Sequence, residues 1–311
     1  MKDIIKRIDE AKHIVVIAHK NPDADSLGSS SAIYTHLLRL HKKVSFFCAT
    51  SINPKLSFIA WSEKIRNSFP SSADLAISLD CGSFTRLGVE PECDLINIDH
   101  HESNSKFGDY NLVDTHCIST TQVLCNFFAS NDISINKKMA TSLYAGLLDD
   151  SNGFVSDDMD GTVFATLNML IASGADFKLC NKYIMKYQSL ANMRLKAIML
   201  GNVILLNEAT IALFLVTNED MKKTGAIGED CESALEEALY LPTVTLSILI
   251  KENRDFTFKG SLRSSGDFDA SKIASRFNGG GHTSRAGFSM DKSYTLQSAS
   301  EEILKYINKE I

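Results

Sequence analysis

The chain has 311 residues, 44% of them hydrophobic and 23% charged, with a formal net charge of −6. That length points to two domains, each with enough material for its own core. No apolar run approaches the ~18 residues of a membrane span, and an acidic chain is a poor binder of long duplex nucleic acid by counterion release, although a small anion held through bound cations stays open to it.

The first ten residues set apolar side chains at helical spacing among charges of both signs, so they read as a folded amphipathic helix of a cytoplasmic protein and not as a secretion signal. Ile14-Val15-Val16-Ile17-Ala18 is a continuous β-branched run, the pattern of a parallel strand covered on both faces. It leads into His19-Lys20-Asn21-Pro22-Asp23-Ala24-Asp25, where Pro22 forces a loop, and a helical pattern follows from Ala32 to Leu40. His19, Asp23 and Asp25 therefore leave a strand end together, either as a solvated loop or as ligands for neighbouring ions. Gly28-Ser29-Ser30, read as the start of that helix, offers a weak anion site.

The pattern recurs. Lys43 to Cys48 reads as a second strand, Asp74 to Leu79 as a third ending at Asp80, and Leu95-Ile96-Asn97-Ile98 as a fourth ending at Asp99-His100-His101. Three strands thus finish in a residue able to bind metal or phosphate, at the end of the sheet where open α/β folds put ligands. Helices are predicted over Thr120–Phe128, Lys138–Leu148 and Met159–Ser173, the second stopping at Asp149-Asp150-Ser151-Asn152-Gly153, which is either a turn or a further source of carboxylate.

After a connector from Ala175 to about Leu200 the texture changes. Strands are expected at Ala209–Val216 and Thr243–Ile250, a hairpin return at Phe256–Arg263, a helix at Ala270–Phe277, a loop Asn278-Gly279-Gly280-Gly281-His282, a strand near Ala286–Met290 and a closing helix from about Leu296. Between Lys251 and Arg285 seven basic residues face four acids, a local excess of +3 suited to a phosphate. The seven cysteines include no Cys-x-x-Cys pair, which excludes a zinc ribbon and a disulfide framework and fits reduced thiols.

Taken in order, His19-x-x-Pro22-Asp23-x-Asp25, Asp80, Asp99-His100-His101, Asp150 within Gly146-Leu147-Leu148-Asp149-Asp150, Ser261-Leu262-Arg263-Ser264-Ser265 and Gly279-Gly280-Gly281-His282 resemble the motifs of the DHH/DHHA1 phosphoesterase superfamily. Within it the chain is most similar to the bacterial oligoribonuclease and 3'-phosphoadenosine-5'-phosphate (pAp) phosphatase type. The resemblance implies an α/β protein. A parallel-sheet catalytic domain with helices on both faces spans 1–185, a helical linker 186–205 and a smaller mixed α/β substrate-binding domain 206–311, with the active site in a cleft between the domains.

It further implies two manganese ions, replaceable by magnesium or cobalt, one held by His19, Asp23 and Asp80 and the other by Asp25, Asp80, His100 and Asp150. Asp80 would bridge them, Asp99 would orient an imidazole, and His101 would face the substrate phosphate. Substrate would also meet Arg263, Ser264, Gly279, Gly280, Gly281, His282 and Arg285. Arg285 stands where the family usually has a small residue. The implied activity is degradation of very short RNA, including pApA, to nucleoside monophosphates, with 3'-phosphatase action on pAp, in a cytoplasmic protein that assembles as a homodimer. Cyclic di-AMP hydrolysis and a non-catalytic nucleotide-binding module are the rival readings.

That chemistry suits the residues. Phosphodiesters repel nucleophiles because they are already anionic, and two cations ~3.5–4 Å apart can neutralise that charge and activate water between them.

Overall fold

The computed structural model describes residues 2–156, 158–265 and 268–310, and the chain divides into two compact units, Met1–Tyr187 and Gln188–Ile311.

The first unit is built on a six-stranded sheet of β1 (His13–Ala18), β2 (Lys43–Phe47), β3 (Ile65–Arg66), β4 (Leu75–Leu79), β5 (Asp94–Asp99) and β6 (Tyr110–Val113). All its strands are parallel, and their order is β3-β2-β1-β4-β5-β6. Chain direction across the sheet reverses between β1 and β4, the switch point beside which doubly wound sheets open a crevice.

Alternate residues of β1 go to opposite faces. Ile14, Val16 and Ala18 join a core with α1 (Lys2–Glu10), α2 (Ala24–Arg39), α3 (Thr120–Ser130), α4 (Lys137–Asp150), α5 (Gly161–Ala172) and α6 (Phe177–Ile184). Val15 and Ile17 meet Phe69, Leu87 and Phe107 on the other face. The sequence predicted helices there too. The described segments between β4 and β6 hold one 3-10 turn, Phe84–Arg86, and no α-helix, because Gly82, Gly88 and Pro91 break the chain repeatedly. His13, the one polar side chain in β1, is satisfied inside the fold by Ser72 Oγ and Ser45 Oγ, 2.8 and 2.9 Å from its two ring nitrogens.

Helix α2 starts eight residues before the predicted Ala32, at Ala24. Asp23 is its cap and accepts a hydrogen bond from Ser26 N at 2.9 Å, so the residues read as loop already form the first turn. Gly28-Ser29-Ser30 therefore lies inside a buried helix and is no anion site. Gly28 is needed for packing instead, since a Cβ there would come within 2.3 Å of the Ser142 carbonyl oxygen on α4. Helix α5 likewise begins at Gly161, later than the predicted Met159, because Asp160 caps it through the amides of Thr162 and Val163.

The second unit holds α7 (Leu190–Gly201), β7 (Ile204–Leu206), β8 (Ile211–Val216), α8 (Asn218–Thr224), α9 (Glu232–Ala238), β9 (Leu246–Glu252), β10 (Phe258–Ser264), α10 (Ala270–Arg276), β11 (Gly280–Gly281), β12 (Arg285–Met290) and α11 (Leu296–Glu310). Its strands run β11-β12-β10-β9-β8-β7, and among the described residues only β8 and β9 are parallel. Helices α10 and α11 cover one face. Helices α7 and α9 cover the other, where Leu195 and Met199 of α7, from the stretch read as a linker, are buried among Phe214, Val216 and Leu235.

Candidate metal centre

The carboxyl ends of β1, β4 and β5 deliver His19, Asp80 and Asp99-His100-His101 to one place beside the switch point. Helix α2 adds Asp23 and Asp25 from its first turn, and α4 adds Asp150 from its last. Those two helices cross closely enough that a Cβ on Gly146 would lie 2.6 Å from Asp25 Oδ1, which is how two carboxylates distant in sequence come together.

Asp80 is the hub. It is buried, and its φ of 58° puts a non-glycine residue in the left-handed region, a conformation held only where the surroundings over-determine it. Its amide donates to Ile98 O at 3.0 Å, which fixes the turn. Its two carboxylate oxygens then face different imidazoles, Oδ2 lying 3.2 Å from His19 Nε2 and Oδ1 3.6 Å from His100 Nε2. His19 Nε2 is also 3.6 Å from Asp23 Oδ2, and His100 Nε2 is 3.5 Å from Asp150 Oδ2. The ligand atoms of His19, Asp23 and Asp80, of Asp25, His100 and Asp150, and of Asp80, His100 and His101 form three sets, each within 4.8 Å.

The ring orientations are set from behind. His19 Nδ1 lies 2.8 Å from Lys20 O and His100 Nδ1 3.3 Å from Cys117 O; a carbonyl only accepts, so the proton sits on Nδ1 and each Nε2 turns its lone pair into the site. His101 turns the other way, its Nδ1 against Asp99 Oδ1 at 2.8 Å. Asp99 also accepts from Asn104. Asp25 is fully buried and takes the amides of Thr120 and Thr121 on its two oxygens, at 2.7 and 2.9 Å. Asp149 belongs to none of the three sets and accepts from Ala24 N at 3.1 Å, so the two neighbouring acids divide between structure and site.

The electrostatics match a set made for cations. Burial, then the neighbouring Asp25 charge, pushes Asp80 up to about 7. Burial and Asp23 push Asp25 up to about 6, and burial with Asp25 and Asp80 holds Asp150 well above the usual carboxylate range. Burial lowers His100, as befits a neutral ligand. At His19 burial works downward, but Asp23 and Asp80 raise the ring to about 9. Four acids and two imidazoles at these separations fit divalent cations, which would take the place of the proton that the carboxylates otherwise hold on His19, and the lack of thiolate favours hard octahedral ions.

One participant escaped the sequence reading. Arg86 Nη2 lies 2.8 Å from His19 Nε2, brought there by a short turn after β4 whose Arg86 carbonyl accepts from Lys20 N at 2.9 Å. The guanidinium can donate only to a neutral ring, so it favours the same state of His19 that a cation does, against the pull of the carboxylates. A cationic residue in the loop leaving a strand that ends in Asp80 was the available signal.

In the second unit the expected substrate residues are partly engaged. Arg263 on β10 and Arg285 on β12 are cross-strand partners. Arg263 is buried and bonded to Glu232 and to Leu262 O, while Arg285 Nη2 donates to Glu236 Oε1 at 2.6 Å. The basic excess read between 251 and 285 is therefore offset by two glutamates of α9 that lie outside that window, and Asp267 within it lies outside the described residues. Ser264 Oγ is committed to Phe268 O and Thr283 O, both at 2.8 Å.

The glycine stretch is not a free loop, since Gly280–Gly281 forms the edge strand β11 against β12. The approach is close, a Cβ on Gly279 coming within 2.2 Å of Gly287 O, and Gly281 has a φ of 148°. His282 is exposed, with its amide donating to Arg285 O at 2.7 Å.

Comparison with known proteins adds the following. The profile described as "DHH family, N-terminal domain" matches residues 13–147, and that of the "DHHA1 domain" matches residues 195–311. A Thermus thermophilus protein named bifunctional oligoribonuclease and PAP phosphatase NrnA is 28% identical, over 96% of this chain and 90% of its own. A Streptococcus mutans protein named probable bifunctional oligoribonuclease and PAP phosphatase NrnA is 23% identical, over 92% of each. The crystal structure of an exopolyphosphatase-related protein from Bacteroides fragilis shares the fold, with a TM-score of 0.87 at 24% identity over 98% of this chain and 95% of that one.

Proposed function

Because the chain belongs to the DHH/DHHA1 phosphoesterase superfamily, we propose that it is a two-metal phosphohydrolase that releases nucleoside monophosphates from very short oligoribonucleotides such as pApA and takes the 3'-phosphate from pAp. The observation that carries this reading is the sharing of Asp80 between two groups of imidazole and carboxylate atoms. The names of the Thermus and Streptococcus relatives support the substrate class.

His19, Asp23 and Asp80 would hold one cation and Asp25, Asp80, His100 and Asp150 the other, with manganese preferred and magnesium or cobalt as substitutes. Such a pair, when bound, neutralises phosphate charge and lowers the pKa of water. The chain's own groups then have separate tasks. His19 and His100 present lone pairs because Lys20 O and Cys117 O hold their other protons. Asp99 fixes His101 so that its Nε2 is left for a phosphoryl oxygen. Its pKa is raised first by the Asp99 hydrogen bond and then, against burial, by the Asp80 charge. Arg86 supplies a further donor at the same side of the site. Arg263, Arg285 and His282 are assigned to the nucleotide.

The seven free cysteines support a reducing, cytoplasmic setting. The exposed Phe164 and Ile171, two turns apart on α5, support a homodimer, for which light scattering at the monomer mass would be the contrary result. The activity is tested by offering pApA, pAp and cyclic di-AMP at equal concentration with Mn²⁺. pApA and pAp should turn over fastest, and an enzyme that leaves pApA intact while opening cyclic di-AMP would displace this assignment.

A further inference from the structure

The second unit has a cavity of about 470 Å³ at the carboxyl end of β8 and β9, the parallel pair of its sheet. Lys222 from α8, Lys251 from β9 and Arg254 from the turn after β9 all line it. None of the three makes an ion pair or a side-chain hydrogen bond among the described residues. The one carboxylate in the lining, Glu252, is already committed, its Oε2 accepting from Asn218 N at 3.0 Å. Lys259 stands directly across from Lys251 on β10 and extends the positive field.

The walls are shaped to leave this space open. Gly225 ends α8 with a φ of 73°, turning the chain over the cavity. At Gly228 a Cβ would lie 3.1 Å from Lys251 Nζ and would press on the ammonium group. Met221, Ala226 and Ile227 give the cavity an apolar side, and Ile227 is 61% exposed at its rim. Volume, cation convergence and an apolar wall together describe a small amphipathic anion.

The place is distinct from the arginine pair. Arg263 is four residues from Lys259 along β10, about 13 Å at the usual strand rise.

We propose that this cavity is a second ligand site that binds a nucleoside monophosphate, Lys222, Lys251 and Arg254 holding the phosphomonoester and the Met221–Ile227 wall covering the nucleoside. The inference does not depend on the catalytic reading, since it rests on groups of the second unit alone.

Hydrogen exchange of the full chain read by mass spectrometry tests it, because the readout is local and any binding at the metal centre appears in other peptides. AMP at millimolar concentration should slow exchange in peptides covering 218–228 and 246–254. Inorganic phosphate should do so less, and adenosine should not. In Lys222→Met/Lys251→Met, which keeps the aliphatic stems, AMP affinity read from the same peptides should fall by more than about tenfold with an unchanged melting temperature. Phosphate acting as well as AMP would overturn the nucleotide assignment. No protection by AMP, or equal protection in the double variant, would overturn the site.

Discussion

At Asp80 a single side chain serves three imidazoles, those of His19, His100 and His101, so its replacement should cost more than that of any one neighbour. Asp80→Asn keeps shape and turn preference but removes the charge. It should lower kcat/KM for pApA by more than about a hundredfold while leaving the circular dichroism spectrum intact. Asp99→Asn reaches the site through His101, and a loss of about tenfold to a hundredfold is expected, with metal affinity less affected than turnover. Arg86→Met should lower kcat/KM by about tenfold to a hundredfold, with Arg86→Lys recovering only part, because an ammonium lacks the paired donors of a guanidinium. His19, Asp80 and Asp99-His100-His101 stood out as candidates because they stand at or just past the end of an apolar strand, whereas Asp23 and Asp25 lie on the first turn of α2 and Asp150 on the last of α4, where only the family resemblance separated it from Asp149. Arg86 was not legible, because it reaches the site from a loop whose path no periodicity encodes. Ser264 and the arginine pair were singled out through the family resemblance, but the engagement of the two arginines with α9 depends on which helix lies over which strand.

The crossing of α2 on α4 decides where the carboxylates go. Gly28→Ala would drive a methyl into the Ser142 carbonyl at 2.3 Å and should destabilise the first unit by about 1–3 kcal/mol in urea unfolding. Gly146→Ala meets Asp25 itself, so it should reduce activity as well as stability. A comparable loss of stability with full activity at Gly146 would mean that Asp25 is not held where it matters. The strands of the first sheet were readable from their β-branched runs. The start of α2 was not, because Pro22 signalled a loop while the Asp23 cap, a one-residue feature, began the helix at once. β11 was hidden for the opposite reason, since glycines that look like flexibility serve close approach between strands.

For the molecule as a whole, the crowded acids make stability depend on pH and on cations together. Asp25 and Asp80 have their pKa values raised to about 6 and about 7, so the folded state binds their protons more tightly than the unfolded chain does. Their stabilising contribution is complete below the ordinary carboxylate range and is lost as pH rises through about 6 to 7. With a chelator present, the melting temperature should therefore fall across that window, and millimolar Mn²⁺ should raise it again most strongly at the high end. A melting temperature indifferent to both would contradict the shared cation cage. The left-handed backbone at Asp80 also bears on how such a chain would decay once unused. Glycine fits that torsion without strain and carries no acid to bury, so a descendant freed from hydrolysis would gain robustness through the same substitution that silences it, and disuse would be written first at position 80.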